Sequence, residues 1–248
     1  MSEYYNPNRD ASWNYGGKNW KLSRSKIDLF LECPRCFYMD NKLGVKRVPG
    51  FPFSINSAVD YLLKQEFDSY RVKNEQHPLQ KEYGIDARPM SHAELDEWRR
   101  NFGGIRHLHE QTGFLVTGAI DDLWINGKDE YIVVDYKATA KDEAVKVLDK
   151  EWQDGYKRQM EVYQWLLRQN GLKVSDIGYF VYCTGKMDRQ AFDKRIDFDV
   201  NLIEHKGNDS WVEKTLFEIK KCLDGEIPQS GEGCDHCAYW NSRKQFEN

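Results

Sequence analysis

A carboxylate and an ammonium end an otherwise apolar run, Ile132-Val133-Val134-Asp135-Tyr136-Lys137, and this pairing most constrains the fold. Side chains alternate faces along a strand, so Asp135 and Lys137 project to one side. Continuous apolar residues before them mark a strand covered on both faces. Charges on such a strand are costly to bury unless they pair closely or bind something. Phe114 to Ile125 is also rich in β-branched and aromatic residues, and Asn126-Gly127-Lys128-Asp129 supplies a turn, which predicts two neighbouring strands. The first carries Gly118-Ala119-Ile120-Asp121; Asp122 points to the opposite face. Further on, Gln159 and Tyr163 lie one helical turn apart, with Trp152 and Tyr156 extending their stripe toward the helix start.

Alone, Asp-Tyr-Lys suits a surface ion pair, and a Gln/Tyr helix face suits packing on a sheet with Gln159 satisfying a backbone group. Together they offer two carboxylates and an ammonium, which is what a divalent cation and a phosphate require. Magnesium takes oxygen ligands and keeps several waters, so Asp135, a main-chain oxygen of Tyr136 and one of Asp121 and Asp122 form a plausible set. Lys137 would orient an attacking water and offset charge developing at phosphorus. Lys157 and Arg158 could touch phosphates, although such charges are mostly solvated.

The rest of the chain reads as alternating helices and strands. Ser23 or Ser25 can cap a helix running into Cys33, and Gly44 to Phe53 is a loop. A helix from Ile55 to Tyr70 has Val59, Leu62, Leu63 and Phe67 as its buried stripe, followed by an irregular stretch from Arg71 to Asp86. Ser91 with Glu94 has the capping-box pattern. Beyond the hairpin come a helix at Trp152 to Gln169, strands at Ile177 to Cys183 and Arg195 to Leu202, and a helix at Ser210 to Leu223. This order predicts an α/β fold with a mixed sheet flanked by helices. A length of 248 residues fits one large domain over 22–248, with residues 1–21 as a mobile or peripherally docked arm.

No apolar run approaches a membrane span, and Met1 to Trp20 lacks the basic and apolar regions of a signal peptide, so a cytoplasmic chain with no membrane partner is expected. The net charge of −4 does not announce a nucleic-acid binder, but an acidic site offsets a basic groove in the total. Six cysteines in such a chain argue for reduced thiols or metal ligands. Cys33-x-x-Cys36 and Cys234-x-x-Cys237 are two close pairs that together complete a four-sulfur site for zinc or an iron–sulfur cluster. Cys183 and Cys222 read as buried apolar fillers. His77, His92, His107 and His109 fall in polar or loop-like segments.

Gly-x-Ile-Asp, Val-Asp-Tyr-Lys-Ala and Gln-x-x-x-Tyr, in this order, resemble the motifs of RecB-type nucleases of the PD-(D/E)XK superfamily. The nuclease domains of RecB and AddB and the CRISPR-associated RecB-like exonucleases are of this type. Leu22 through Tyr38 resembles the family's opening helix, and Cys234-Asp235-His236-Cys237-Ala238-Tyr239 its closing cysteine segment. The resemblance implies a restriction-endonuclease-like core and a magnesium- or manganese-dependent deoxyribonuclease acting on single strands or ends, in repair, recombination or CRISPR-type processing. It assigns the ligand role to Asp121 rather than Asp122, and places Gln159 and Tyr163 beside Asp135 and Lys137 at the catalytic centre. A helicase or other partner would have to be a separate chain, because no helicase motif is present.

Two departures from the family pattern follow. The usual histidine ligand in a Gly-x-x-x-His context is replaced by Asp60, in Asn56-Ser57-Ala58-Val59-Asp60. A carboxylate there suits a hard cation, yet it also leaves open a catalytically weak or inactive nucleic-acid-binding subunit. The family's iron–sulfur ligands are commonly one early cysteine and three late ones; here only two are late, Arg243 stands where a third would be sought, and Cys36 makes up the number. The resemblance points to a [4Fe–4S] cluster, with zinc as the alternative, clasping the two ends of the domain.

Overall fold

The fold is organised around its longest strand, Tyr131–Ala140. The computed structural model describes residues 9–50 and 54–246. They form two compact units, one drawn from residues up to 51, 108–117 and 210 onward, the other from residues 52–107 and 118–209. In chain order the elements are β1 (Leu22–Ser23), α1 (Arg24–Glu32), α2 (Pro34–Asn41), α3 (Ser54–Lys73), α4 (Pro78–Glu82), β2 (Ala87–Pro89), α5 (Leu95–Trp98), β3 (Ile105–His109), β4 (Phe114–Gly118), β5 (Asp122–Asn126), β6 (Tyr131–Ala140), α6 (Asp154–Gln169), β7 (Ile177–Gly185), β8 (Phe198–Lys206), α7 (Ser210–Asp224) and α8 (Asp235–Lys244).

The second unit holds a mixed sheet in the order β2-β5-β6-β7-β8. β5 and β6 form the expected antiparallel hairpin, with Asp122 opposite Val134. β6 and β7 run parallel, joined through α6, since a parallel pair needs a crossover. β8 returns antiparallel to β7. Alternation along β6 divides its chemistry: Ile132, Val134 and Tyr136 pack with Leu63 and Phe67 of α3 and with Trp124 and Val181, forming one core. Val133, Asp135 and Lys137 take the other face, where Gln159 of α6 meets Asp135. A mixed sheet flanked by helices is thus the fold anticipated from the alternating pattern.

In the other unit β1 pairs parallel with β4, and α1 and α2 pack on α7. Of the expected arm, residues 9–21 are held by Arg9, which pairs with Asp40 at 2.6 Å, and by Tyr15, which sits edge-on to Trp20 and Phe114. Residues 1–8 lie outside the described residues.

Several local expectations are corrected. The strand expected over Phe114 to Ile125 breaks at residues 119–121, so Asp121 lies outside any ladder. Ser23 occupies the α1 cap without accepting a backbone amide; its hydroxyl meets the Ser25 hydroxyl instead. Leu62 is exposed, because the stripe that faces the core runs through Leu63 and Phe67. The irregular stretch from Arg71 to Asp86 contains the end of α3 and all of α4, which His77 caps by accepting from the Leu79 amide. Ser91 makes no capping box: α5 starts later, and the Glu94 amide donates to His92. β8 starts at Phe198 and extends to Lys206 because its register on β7 reaches Ile177. His77 and His109 are buried, bonded to Glu66 and Glu213. Cys183 is buried as expected, while Cys222 is half-buried. Among the described residues no helix is long and apolar enough to cross a membrane.

Candidate active site

The break at residues 119–121 is what builds the site. β5 pairs with β6 only as far as Val134, so the Tyr136 amide has no strand partner on that side; the Asp121 carboxylate accepts it at 2.8 Å. Gly118 permits a close approach just upstream, where a Cβ would lie 2.7 Å from the Tyr163 ring. The other Asp121 oxygen lies 3.5 Å from Lys64, whose ammonium also pairs with Asp60 at 2.9 Å. Asp60 and Lys64 are four residues apart on α3, a spacing that puts them on one face. Burial, and after it the Asp121 charge, raises the Asp60 carboxyl above the usual aspartate range.

On the facing side of β6, Asp135 is fully buried. One of its oxygens accepts from Gln159 Nε2 at 2.7 Å, and the other pairs with Lys137. Gln159 Nε2 also donates to the Tyr163 hydroxyl at 3.0 Å, and its Oε1 faces Lys137 at 3.4 Å. Lys137 Nζ stands 4.6 Å from the centre of the Tyr156 ring, a cation–π contact on its open side. Gln159 therefore meets both Asp135 and Lys137, and Tyr163 joins them through Gln159, while Asp60 and Asp121 join through Lys64. The two clusters are linked along β6 by the bond from Asp121 to the Tyr136 amide.

Tyr136 itself turns its side chain to the opposite face, and its hydroxyl donates to Asp122 at 2.8 Å. Burial, then the charge of Asp122, holds that phenol well above its ordinary pKa, so it stays a donor. Asp122 also accepts from the Leu123 amide at 2.8 Å, Trp124 Nε1 at 3.2 Å, Arg99 at 2.5 Å and Arg71. This fully paired carboxylate braces β5 against α3.

Three carboxylates face two ammonium groups across these clusters, which leaves the site net negative. Oxygen donors with excess negative charge suit a hard divalent cation. Sequence reasoning missed Lys64, although its position one turn after Asp60 was a usable signal. It also missed Arg71 and Arg99, for which no local pattern existed.

The cysteines form a separate centre within the first unit. Cys33 caps α2 and Cys36 lies in its first turn; Cys234 caps α8 and Cys237 lies in its first turn. The same spacing thus turns two sulfurs inward at each helix start. Cys36 lies 3.6 Å from both Cys234 and Cys237, and Cys33 lies 3.8 Å from Cys237. All four sulfurs fall within 4.8 Å of one another, and among the described residues this is the one group of metal-type side chains gathered so tightly. None is disulfide-bonded. Burial acts to raise Cys33, but the amides of Cys36 and Gly231 and the neighbouring thiols outweigh it, bringing the pKa down to about 6. Gly231 comes this close because a Cβ there would meet the Glu32 carbonyl at 2.4 Å. Arg47 donates to Cys234 Sγ at 3.5 Å and pairs with Glu32 at 2.8 Å. The cluster can bind a metal.

Residues 52–242 match the PD-(D/E)XK nuclease superfamily, and the chain belongs to it. Membership implies a hydrolase acting on phosphodiester bonds, helped by divalent metal, with nucleic acid as its substrate class. Among curated proteins no match is found. The superfamily match begins after the first cysteine pair, so that half of the cysteine centre lies outside it.

Proposed function

We propose that the chain is a magnesium- or manganese-dependent deoxyribonuclease of the RecB-like branch, cutting single-stranded DNA or DNA ends. The observation that carries this reading is the contact set joining Asp135, Lys137, Gln159 and Tyr163, with Asp121 beside it on the β6 edge. Asp60, Asp121, Asp135 and the Tyr136 main-chain oxygen are the groups to hold the cation. When bound, that cation supplies a nucleophilic water near neutral pH and neutralises phosphoryl oxygens.

The chain's own residues do the rest. Lys64 neutralises the Asp60–Asp121 pair until a cation takes over that role. Gln159 fixes the orientation of Asp135 and restrains Lys137. The Lys137 ammonium orients the attacking water and meets the charge that develops on the phosphate. Tyr163 holds Gln159 in place, so its contribution is positioning.

Single strands fit the surroundings of Lys137. Trp152, more than half exposed, meets Tyr156 edge-on at 5.8 Å, and Lys141 lies 5.2 Å from the Trp152 ring centre. An exposed indole beside Lys141, one aromatic ring away from Lys137, can stack an unpaired base and contact its phosphates, which a base in a duplex stack would not permit. The RecB-like assignment rests on the order of the motifs together with two cysteine pairs flanking the core. A role in repair, recombination or CRISPR-type processing in the cytoplasm, alongside a helicase or other partner chain, accords with it.

The test is a digestion assay with end-labelled single- and double-stranded DNA and magnesium or manganese. Cleavage of single strands that Lys137→Ala and Asp121→Ala abolish supports the proposal. Tight DNA binding with no cleavage under any metal would favour an accessory binding subunit and refute the enzyme.

A further inference from the structure

We infer that the four cysteines hold a single tetrahedral metal ion, zinc, rather than the iron–sulfur cluster implied by the resemblance, and that this ion secures helix α8. The argument is geometric. A tetrahedral zinc with Zn–S bonds of about 2.3 Å sets sulfur–sulfur edges of about 3.8 Å. The closest sulfur pairs here are separated by 3.6, 3.6 and 3.8 Å, and all four sulfurs lie within 4.8 Å of one another.

A [4Fe–4S] cluster does not fit that arrangement. Its four cysteines bind four different irons and point outward from separate corners, so the whole cluster keeps them apart. A two-iron cluster fails similarly: it tolerates close contact within each ligand pair but separates the pairs. Here Cys36 approaches both Cys234 and Cys237, Cys33 approaches Cys237, and every remaining sulfur pair is also within 4.8 Å, so the four do not divide into two separated pairs. Only one centre common to all four sulfurs satisfies these distances. Between single ions, divalent zinc binds such a site more tightly than ferrous iron. Four thiolates on one divalent ion carry excess negative charge, and the contact from Arg47 to Cys234 offsets part of it.

The same ion explains how α8 is held. No residue of α8 is buried, so apolar packing contributes little there. Two of the four ligands, Cys234 and Cys237, lie at its start, opposite ligands from the start of α2. A metal tie therefore replaces a core at this helix.

The test is to prepare the full chain without oxygen, from cells supplied with both metals, and measure zinc, iron and acid-labile sulfide per chain. About one zinc, no labile sulfide and no visible absorption are expected. Four irons with matching sulfide, a single iron, or no metal at all would each overturn the inference. Cobalt added to the metal-free protein should give the visible bands of a tetrahedral thiolate site, and their absence would also count against it. Cys237→Ser should lose zinc and raise amide hydrogen exchange across residues 235–244, while Cys222→Ser keeps both as in the wild type. Unchanged exchange in zinc-free Cys237→Ser would refute the tie to α8. These readouts do not use DNA cleavage, so they stand apart from the proposed nuclease activity.

Discussion

Asp121 and Asp122 are neighbours in sequence, yet replacing each should have opposite consequences. Asp122→Ala removes a fully buried carboxylate that accepts from Arg71, Arg99, Tyr136, Trp124 and its own chain. Arg71 and Arg99 have side chains only 7 and 10 % exposed, so water does little to replace their lost partner. Arg99 keeps Asp68, and Arg71 keeps Asp68 and two carbonyls, which softens the loss. Breaking a buried pair by deleting one partner costs about 3–5 kcal/mol. With that residual pairing a loss of roughly 3 kcal/mol is expected, a large share of the roughly 5–15 kcal/mol that holds a domain together. Asp121→Ala removes a half-buried carboxylate with one backbone amide bond and a 3.5 Å ion contact, so about 1 kcal/mol is expected. Urea unfolding followed by fluorescence measures both, and cleavage of labelled single strands measures activity. Asp122→Ala should unfold at markedly lower urea, with any remaining activity in proportion to the folded fraction. Asp121→Ala should fold almost as well as the wild type and lose cleavage. The reasoning fails if Asp122→Ala unfolds at the wild-type midpoint, or if Asp121→Ala keeps full activity.

Other outcomes follow from the same geometry. Gln159→Ala should lower turnover by about 100-fold or more, since Asp135 and Lys137 both lose a positioning contact, and single-turnover cleavage would read it. Trp152→Ala should weaken single-strand binding by about 1–3 kcal/mol while changing duplex binding little, as measured by fluorescence anisotropy; equal loss on both would remove the stacking role. Asp60→Asn should raise the magnesium needed for cleavage, and Asp60→His should restore part of the function and shift preference toward manganese. Because burial and Asp121 raise the Asp60 pKa, the metal requirement of the wild type should climb as pH falls, starting above the usual aspartate range. In the metal-free protein the sign is reversed: folded Asp60 holds its proton more tightly than unfolded chain, so its contribution to stability is present at low pH and lost as pH rises through the raised pKa. Urea midpoints across pH for wild type and Asp60→Asn check this, the variant lacking that segment of the curve.

The β5–β6 hairpin, the crossover helix α6 and the shared face of Asp135 and Lys137 were all legible in the sequence, because each follows from a local period or a turn. The apolar run before Asp135, the two-residue alternation and the four-residue step from Gln159 to Tyr163 need no distant partner to be read. The cysteine pairs were legible for the same reason, as a spacing that sets two sulfurs on one centre; that both pairs sit at helix starts came from the structure. What the sequence did not determine depends on residues brought together from far apart. Whether Asp121 lies within a strand or beside one was decided by where β5 stops pairing with β6, and that depends on the whole register of the sheet. Lys64 between Asp60 and Asp121, and the two arginines around Asp122, are meetings of α3 and the segment before β3 with the start of β5. The inference of one ion over a cluster likewise rests on the distance between sulfurs some two hundred residues apart in the chain. Local periodicity sets which face a side chain takes; only tertiary packing sets which charge it meets there, and the chemistry follows from the meeting.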